Sequence, residues 1–202
     1  MKKLICFALT ALLFLTATVL GASAATTHTV KKGDTMWKIA VAYEVGLSEI
    51  KSANPQIANP DLIYPGQVLN IPKNDTTVTS FEQEVIRLVN VERTKRGLSA
   101  LEADWQLSRV ARYKSQDMHD NKYFSHTSPT YGSPFQMMKS FGISYRSAGE
   151  NIARGQRTPA AVVNAWMNSS GHRANILNAS FTHIGVGYVA DGHYWTQMFI
   201  RK

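Results

Sequence analysis

Three short polar islands carry the side chains of this 202-residue chain that could move protons or bind a metal: Tyr123-Phe124-Ser125-His126, Gly149-Glu150-Asn151-Ile152 and Ser170-Gly171-His172-Arg173-Ala174-Asn175-Ile176-Leu177. They supply two imidazoles, His126 and His172, and one carboxylate, Glu150. Imidazole titrates near neutral pH and is a common metal ligand, and a carboxylate beside it adds a proton acceptor or a third ligand. His126 stands in a polar loop between Ser125 and Thr127. His172 is expected in a turn after the helix bearing Trp166, where Gly171 allows close backbone approach. Glu150 falls in a segment that otherwise tends to be buried, and there a carboxylate needs a partner or takes up a proton. Arg173 is one such partner, and in that reading the pair is structural only. His119, His183 and His193 have no acid or cysteine at metal-ligand spacing and read as surface or packing residues. The absence of His-Glu-x-x-His and Gly-x-Ser-x-Gly removes the best-known metalloprotease and α/β-hydrolase arrangements.

The elements that must position these residues are helical first and β-sheet last. Ser80 can cap a helix through Gln83, with Val85, Leu88 and Val89 at helical spacing and an end near Arg96-Gly97. Asp104 starts a second helix with Leu107, Val110, Ala111 and Met118 as its apolar stripe and Asn121 near its end. Ser133-Pro134 and Thr158-Pro159 each place a capping residue before a proline, predicting helices over 134–141 and 159–168. The alternating runs Ile184, Val186, Tyr188 and Tyr194, Thr196, Met198, Ile200 meet at Asp191-Gly192, a hairpin signal. Trp105, Trp166 and Trp195 sit at apolar positions and read as core. The plan is α+β.

Residues 26–73 form a separate unit ordered strand, helix, helix, strand. Thr35 can cap a helix carrying Met36, Trp37, Ile39 and Ala40, a second helix runs from Leu47 to Asn54 with its start at Ser48, and Pro65-Gly66 turns the chain into the strand Gln67–Pro72. A polar stretch, residues 74–80, is expected as the linker to a unit over 81–202.

At the start, Lys2-Lys3, the apolar run Leu4 to Leu20 and Ala22-Ser23-Ala24 have the three parts of a secretory signal, predicting cleavage of residues 1–24 and no stable membrane anchor afterwards. An uncleaved anchor is the alternative, although the run barely reaches the roughly 20 residues a spanning helix needs. Cleavage would remove Cys6, the single cysteine, and with it any disulfide or thiol chemistry. It would also lower the formal charge from +8 to +6 by taking Lys2 and Lys3 with no acid. That excess suits the polyanions of a Gram-positive wall. The basic residues are dispersed, with no Lys/Arg run interleaved with aromatics, so no nucleic-acid partner is expected.

Residues Thr29–Thr35, Trp37-x-Ile39-Ala40, Asn54-Pro55 and Leu62–Pro72 resemble a LysM module. The resemblance implies a small βααβ fold that binds peptidoglycan and other glycans containing N-acetylglucosamine, with Gly33, Asp34, Thr35 and Met36 on one wall of a shallow groove and Leu62, Ile63 and Tyr64 on the other. The three islands resemble the CAP superfamily, also called SCP-like or PR-1-like. So do Asn90-x-x-Arg93, Ile184-Gly185-Val186-Gly187 and Tyr194–Phe199, all in the family's order. This implies an α-β-α sandwich with a central cleft. His126 corresponds to the first histidine of that cleft, Glu150 to the acid of Gly-Glu-Asn, and His172 to the second histidine. His126 and His172 would then be candidate ligands of Zn2+ or another divalent metal. The family's second acid would fall at Ser169, which weakens an acid pair for general acid/base work. Two functions are expected to compete: a secreted protein of the cell wall or spore envelope whose CAP cleft receives an unknown ligand, and a metal-assisted wall or peptide hydrolase using His126, Glu150 and His172.

Overall fold

The computed structural model describes residues 26–73 and 76–202. The expected signal segment and residues 74–75 of the expected linker lie outside the described residues. Among the described residues no helix is long and apolar enough to cross a membrane.

The first unit pairs β1 (Thr26–Thr29) antiparallel with β2 (Val68–Ile71), and packs α1 (Met36–Ala42) and α2 (Leu47–Ala53) against them. Thr35 caps α1 by accepting from the Lys38 amide at 3.2 Å. α2 starts at Leu47, one residue before the Ser48 start that the sequence suggested. The cap position is Gly46, and the Ser48 hydroxyl donates to Glu49. Asn54 is buried because it joins the layers: its amide donates to the carbonyls of Ile50 and Asn70 at 2.8 Å, and its oxygen accepts from the Asn70 amide at 2.7 Å. Val30, Ile39, Ala40, Ile50, Leu69 and Met36 fill the small core.

The second unit is a three-layer α-β-α sandwich. Its sheet has the order β3-β5-β6-β4, formed by β3 (Glu102–Ala103), β5 (His183–Val189), β6 (Tyr194–Arg201) and β4 (Ser147–Arg154). Only β3 to β5 is parallel. One face carries α4 (Trp105–Asp120) and α5 (Pro134–Ser140), meeting Met198 and Ile200. The other carries α3 (Thr76–Thr94), α6 (Pro159–Met167) and α7 (Ser170–Ile176), meeting Ile184, Val186, Trp195 and Phe199. The alternation along β6 therefore reports a sheet covered on both sides. Trp166 and Trp195 are core, as expected, and Trp105 is half-buried.

Three elements differ from the sequence reading. α3 begins at Thr76, so the expected linker is mostly helix, and Ser80 donates back to the Thr77 carbonyl within it. Glu150 lies in the middle of a strand rather than at an element end, and His172 lies in a short helix rather than a turn.

The pair Gly185 and Gly187 fixes the sandwich. Both face α4, and a Cβ there would sit 2.3 Å from the Ser108 nitrogen or 2.1 Å from the Ala111 carbonyl carbon. Helix backbone thus rests directly on strand backbone, and Ser115 locks the contact by donating to the Gly187 carbonyl at 3.0 Å. Between the units, Arg109 of α4 makes paired bonds to Glu49 at 2.6 and 2.8 Å and one to Ser48 at 2.9 Å. The Arg109 guanidinium also lies 5.3 and 5.2 Å from the ring centres of Tyr113 and Phe141, within cation–π range.

Because the methyl group has backbone rather than a flexible tip as its neighbour, Gly187→Ala is expected to cost about 3 kcal/mol of stability, by forcing α4 off the sheet. Chemical denaturation of the variant checks this. A cost below about 1 kcal/mol would mean α4 can move.

Candidate functional site

The second unit's site straddles the outer edge of the sheet. Glu150 of β4 pairs in register with Met198 and so faces the α4 layer, where the loop after α4 brings His126. His126 Nδ1 lies 2.7 Å from Glu150 Oε1. Its neighbour Asn151 faces the opposite layer, donating to the His172 carbonyl at 3.1 Å and to Gln197 Oε1 at 3.0 Å. Asn175 completes the clamp on α7 by donating to the Glu150 carbonyl and to Asn151 Oδ1. One edge strand thus holds both histidine-bearing segments, and the expected partnership of Glu150 with Arg173 does not form. Arg173 instead donates to the Met167 carbonyl.

Two residues that sequence reasoning missed set the position of His126. Lys114 is fully buried, and its ammonium donates to the Ser125 and His126 carbonyls at 2.8 and 3.0 Å and to the Tyr123 hydroxyl at 3.0 Å. Asp117, three residues on, accepts from Tyr123, Ser128, Thr130 and Asn121. The ammonium ties down loop carbonyls and the carboxylate ties down loop hydroxyls, from one helix face. A lysine and an aspartate in the middle of a polar helix face give no signal of this, since only the folded loop supplies their partners.

The environment separates the two imidazoles. The hydrogen bond to Glu150 raises the His126 pKa above the ordinary histidine value, against burial and the Lys114 charge. Burial lowers that of His172, and the His126 charge adds to the effect. Burial raises Glu150 above the usual carboxylate range, while His126 and Lys114 pull it back. Near neutral pH this favours a neutral base at His172 and a charged acid at His126, the division of labour that proton transfer requires. Among the described residues Glu150 Oε2 is buried with no hydrogen-bond partner, an acceptor with unmet demand.

The donor set fits a metal poorly. Ser169 stands where a second acid would be, and its side chain makes no capping bond to α7. Among the described residues no group of three or more His, Cys, Asp or Glu side chains is arranged to hold a metal ion. Two of the three histidines read as surface or packing residues meet acids in space: His119 bridges Asp120 and Asp191 at 2.6 and 3.0 Å, and His183 lies 3.4 Å from Glu102, whereas His193 Nδ1 lies 2.7 Å from the Tyr188 hydroxyl. His119 is a solvent-side tie between α4 and the β5–β6 turn.

In the first unit, Leu62 and Tyr64 are 52% and 55% exposed, as suits a binding rim, whereas Ile63 packs partly against the core. Met36 is 3% exposed and supports the opposite wall from within the core rather than lining it. Asp34 is held by His28 Nε2 at 2.9 Å and the Lys31 amide at 2.8 Å, and Gly33 offers its carbonyl to Lys38. These bonds keep the Gly33–Thr35 wall in one shape.

An α-β-α sandwich whose edge strand carries Gly-Glu-Asn between two histidines is a CAP-type domain, here preceded by a βααβ module of LysM type. Residues 86–199 match CAP, the cysteine-rich secretory protein family, and residues 28–72 match the LysM domain. The chain belongs to the cysteine-rich secretory protein family. It is 65% identical over 127 residues to the uncharacterized protein YkwD of Bacillus subtilis, covering 63% of this chain and 49% of YkwD. It is 42% identical over 59 residues to the N-acetylmuramoyl-L-alanine amidase sle1 of Staphylococcus epidermidis, 29% of this chain and 18% of that one. Among solved structures, it is similar to an extracellular SCP-domain protein from Bacillus anthracis, with a TM-score of 0.60, 36% identity and coverage of 68% of this chain and 47% of that one. The chain thus spans about half the length or less of each of these proteins.

The electrostatics make a checkable order of titration. As pH rises, His172 is expected to lose its proton first and His126 later, on either side of about 6.5, followed by NMR of the imidazole protons. In Glu150→Gln the His126 value should fall. Since His126 is raised in the folded state, its contribution to stability is complete below the ordinary histidine value and is lost as pH climbs through the raised one. Equal titration of both imidazoles would overturn the assignment.

Proposed function

We propose that this is a secreted protein of the bacterial cell wall or spore envelope, held on peptidoglycan by its LysM module and presenting the CAP cleft to a ligand. The observation that carries the reading is the exposure of Leu62 and Tyr64, together with a Gly33–Thr35 turn whose shape is fixed by side-chain bonds. An uncharged sugar with an N-acetyl group suits such a groove, because rim side chains can cover the methyl while backbone groups meet the amide. The likeness of the module to part of a wall amidase supports the same partner. In the CAP cleft, the unpartnered Glu150 oxygen calls for a ligand that donates a hydrogen bond, such as the amide or amine of a peptide.

Hydrolysis of wall peptide or glycan is the second reading, favoured by the opposed pKa shifts of His126 and His172. His172 would take a proton from water and His126 would deliver one to the leaving group. If Zn2+ or another divalent ion is used instead, His126 and His172 are its ligands, and it would supply Lewis-acid polarisation.

Sedimentation with purified peptidoglycan tests the first reading. The full chain is expected in the pellet, and Leu62→Asp with Tyr64→Ala in the supernatant. Retention of that variant would shift binding to the basic CAP surface. Calorimetric titration with zinc tests the metal. Weak binding is expected from two imidazoles and an already engaged carboxylate. Tight one-to-one binding lost in both His126→Ala and His172→Ala would establish a shared metal site instead and call for an assay of wall hydrolysis.

A further inference from the structure

The contact between the two units leaves an open cleft of about 310 Å³ lined by Trp37, Leu47 and Ser48 from the first unit and Arg109, Ser140 and Phe141 from the second. Trp37 needs an explanation, because it is a tryptophan 51% exposed on a helix whose inward positions, Met36, Ile39 and Ala40, already fill the core. Its counterpart across the cleft is Phe141, which packs on Tyr113 and Tyr131 and contacts the Arg109 guanidinium.

Charge is balanced here. Arg109 is neutralised by paired bonds to Glu49, and Ser48 is drawn into the same cluster. A lining of two aromatic side chains, two serines and a compensated ion pair offers little to an anion. It suits a ring with apolar faces and hydroxyl edges, and its volume is at the lower end of the range for small-molecule sites. Along the chain the cleft lies close to the expected groove wall: Trp37 is two residues beyond Thr35, in the first turn of the helix that Thr35 caps.

We propose that this junction is a second sugar subsite, built by both units, which receives the continuation of the N-acetylglucosamine-containing strand held in the LysM groove. The assignment rests on the glycan-binding reading of that groove. It makes the CAP domain part of the glycan-binding surface. Affinity should therefore rise with strand length beyond what the groove alone can hold.

Calorimetry of the full chain with N-acetylglucosamine oligomers of increasing length tests it. Trp37→Ala and, on the CAP side, Ser140→Glu both change exposed residues outside the cores. Each is expected to weaken the longer oligomers about tenfold and leave the short ones unchanged. Trp37 fluorescence should also become protected from iodide only with the longer oligomers. Unchanged affinity of Ser140→Glu for every length, with groove binding intact, would overturn the junction subsite alone. Failure of the unmodified chain to bind any length would overturn the groove reading and this one with it.

Discussion

The closeness of α4 to β5 governs the second unit. With no side chain at Gly185 or Gly187, the helix lies on the strand backbone, and its height above the sheet is set by contact rather than by an adjustable layer of side chains. Lys114 and Asp117 stand on that helix at a fixed distance from β4, so the loop they hold arrives with His126 in reach of Glu150. On the other face of the same strand, Asn151 and Asn175 perform the equivalent task for α7. The two histidine-bearing segments are held by two polar clamps acting on opposite sides of one strand, each dependent on the sheet staying where the helix leaves it.

Desolvation gives the site its character. Buried Glu150 keeps its hydrogen bond to His126 and so holds that imidazole in its charged form against the cost of burial. His172 has no such partner and pays for burial by shedding its proton more readily. The same fold therefore makes two chemically identical side chains different. Lys114, buried against carbonyls and a phenol rather than a carboxylate, adds a positive charge that limits how far Glu150 is driven toward the neutral form.

Much of this plan was legible in the sequence where local chemistry decides structure. Thr35, Asp104, Ser133 and Thr158 announced their helices, because a capping side chain needs only the next three residues. The β5–β6 pair showed in its alternation. Strand β4 did not, since it is packed on both faces and Gly149-Glu150-Asn151 shows no apolar period. Helix α7 is short and polar, with a capping serine that makes no side-chain bond, and it is held by Asn151 and Asn175 rather than by propensity. The expected site residues His126, Glu150 and His172 stood out by their chemical types and order, and the contact of His126 with Glu150 is present in the fold. The supports Lys114 and Asp117 were not, because their roles depend on partners that only the tertiary structure supplies.

Along α4 the duties fall at different angles: Arg109 reaches the first unit, Arg112 holds buried Glu82, and Lys114 and Asp117 serve the loop. Each residue turns a helix by roughly 100°. Gain or loss of one residue in the middle of α4 would therefore rotate every later duty away from its target together, even though the altered segment would remain a good helix. A substitution at one of these positions disturbs a single contact, whereas a change in the length of α4 would break the hold on the first unit, on Glu82 and on the His126 loop at one stroke.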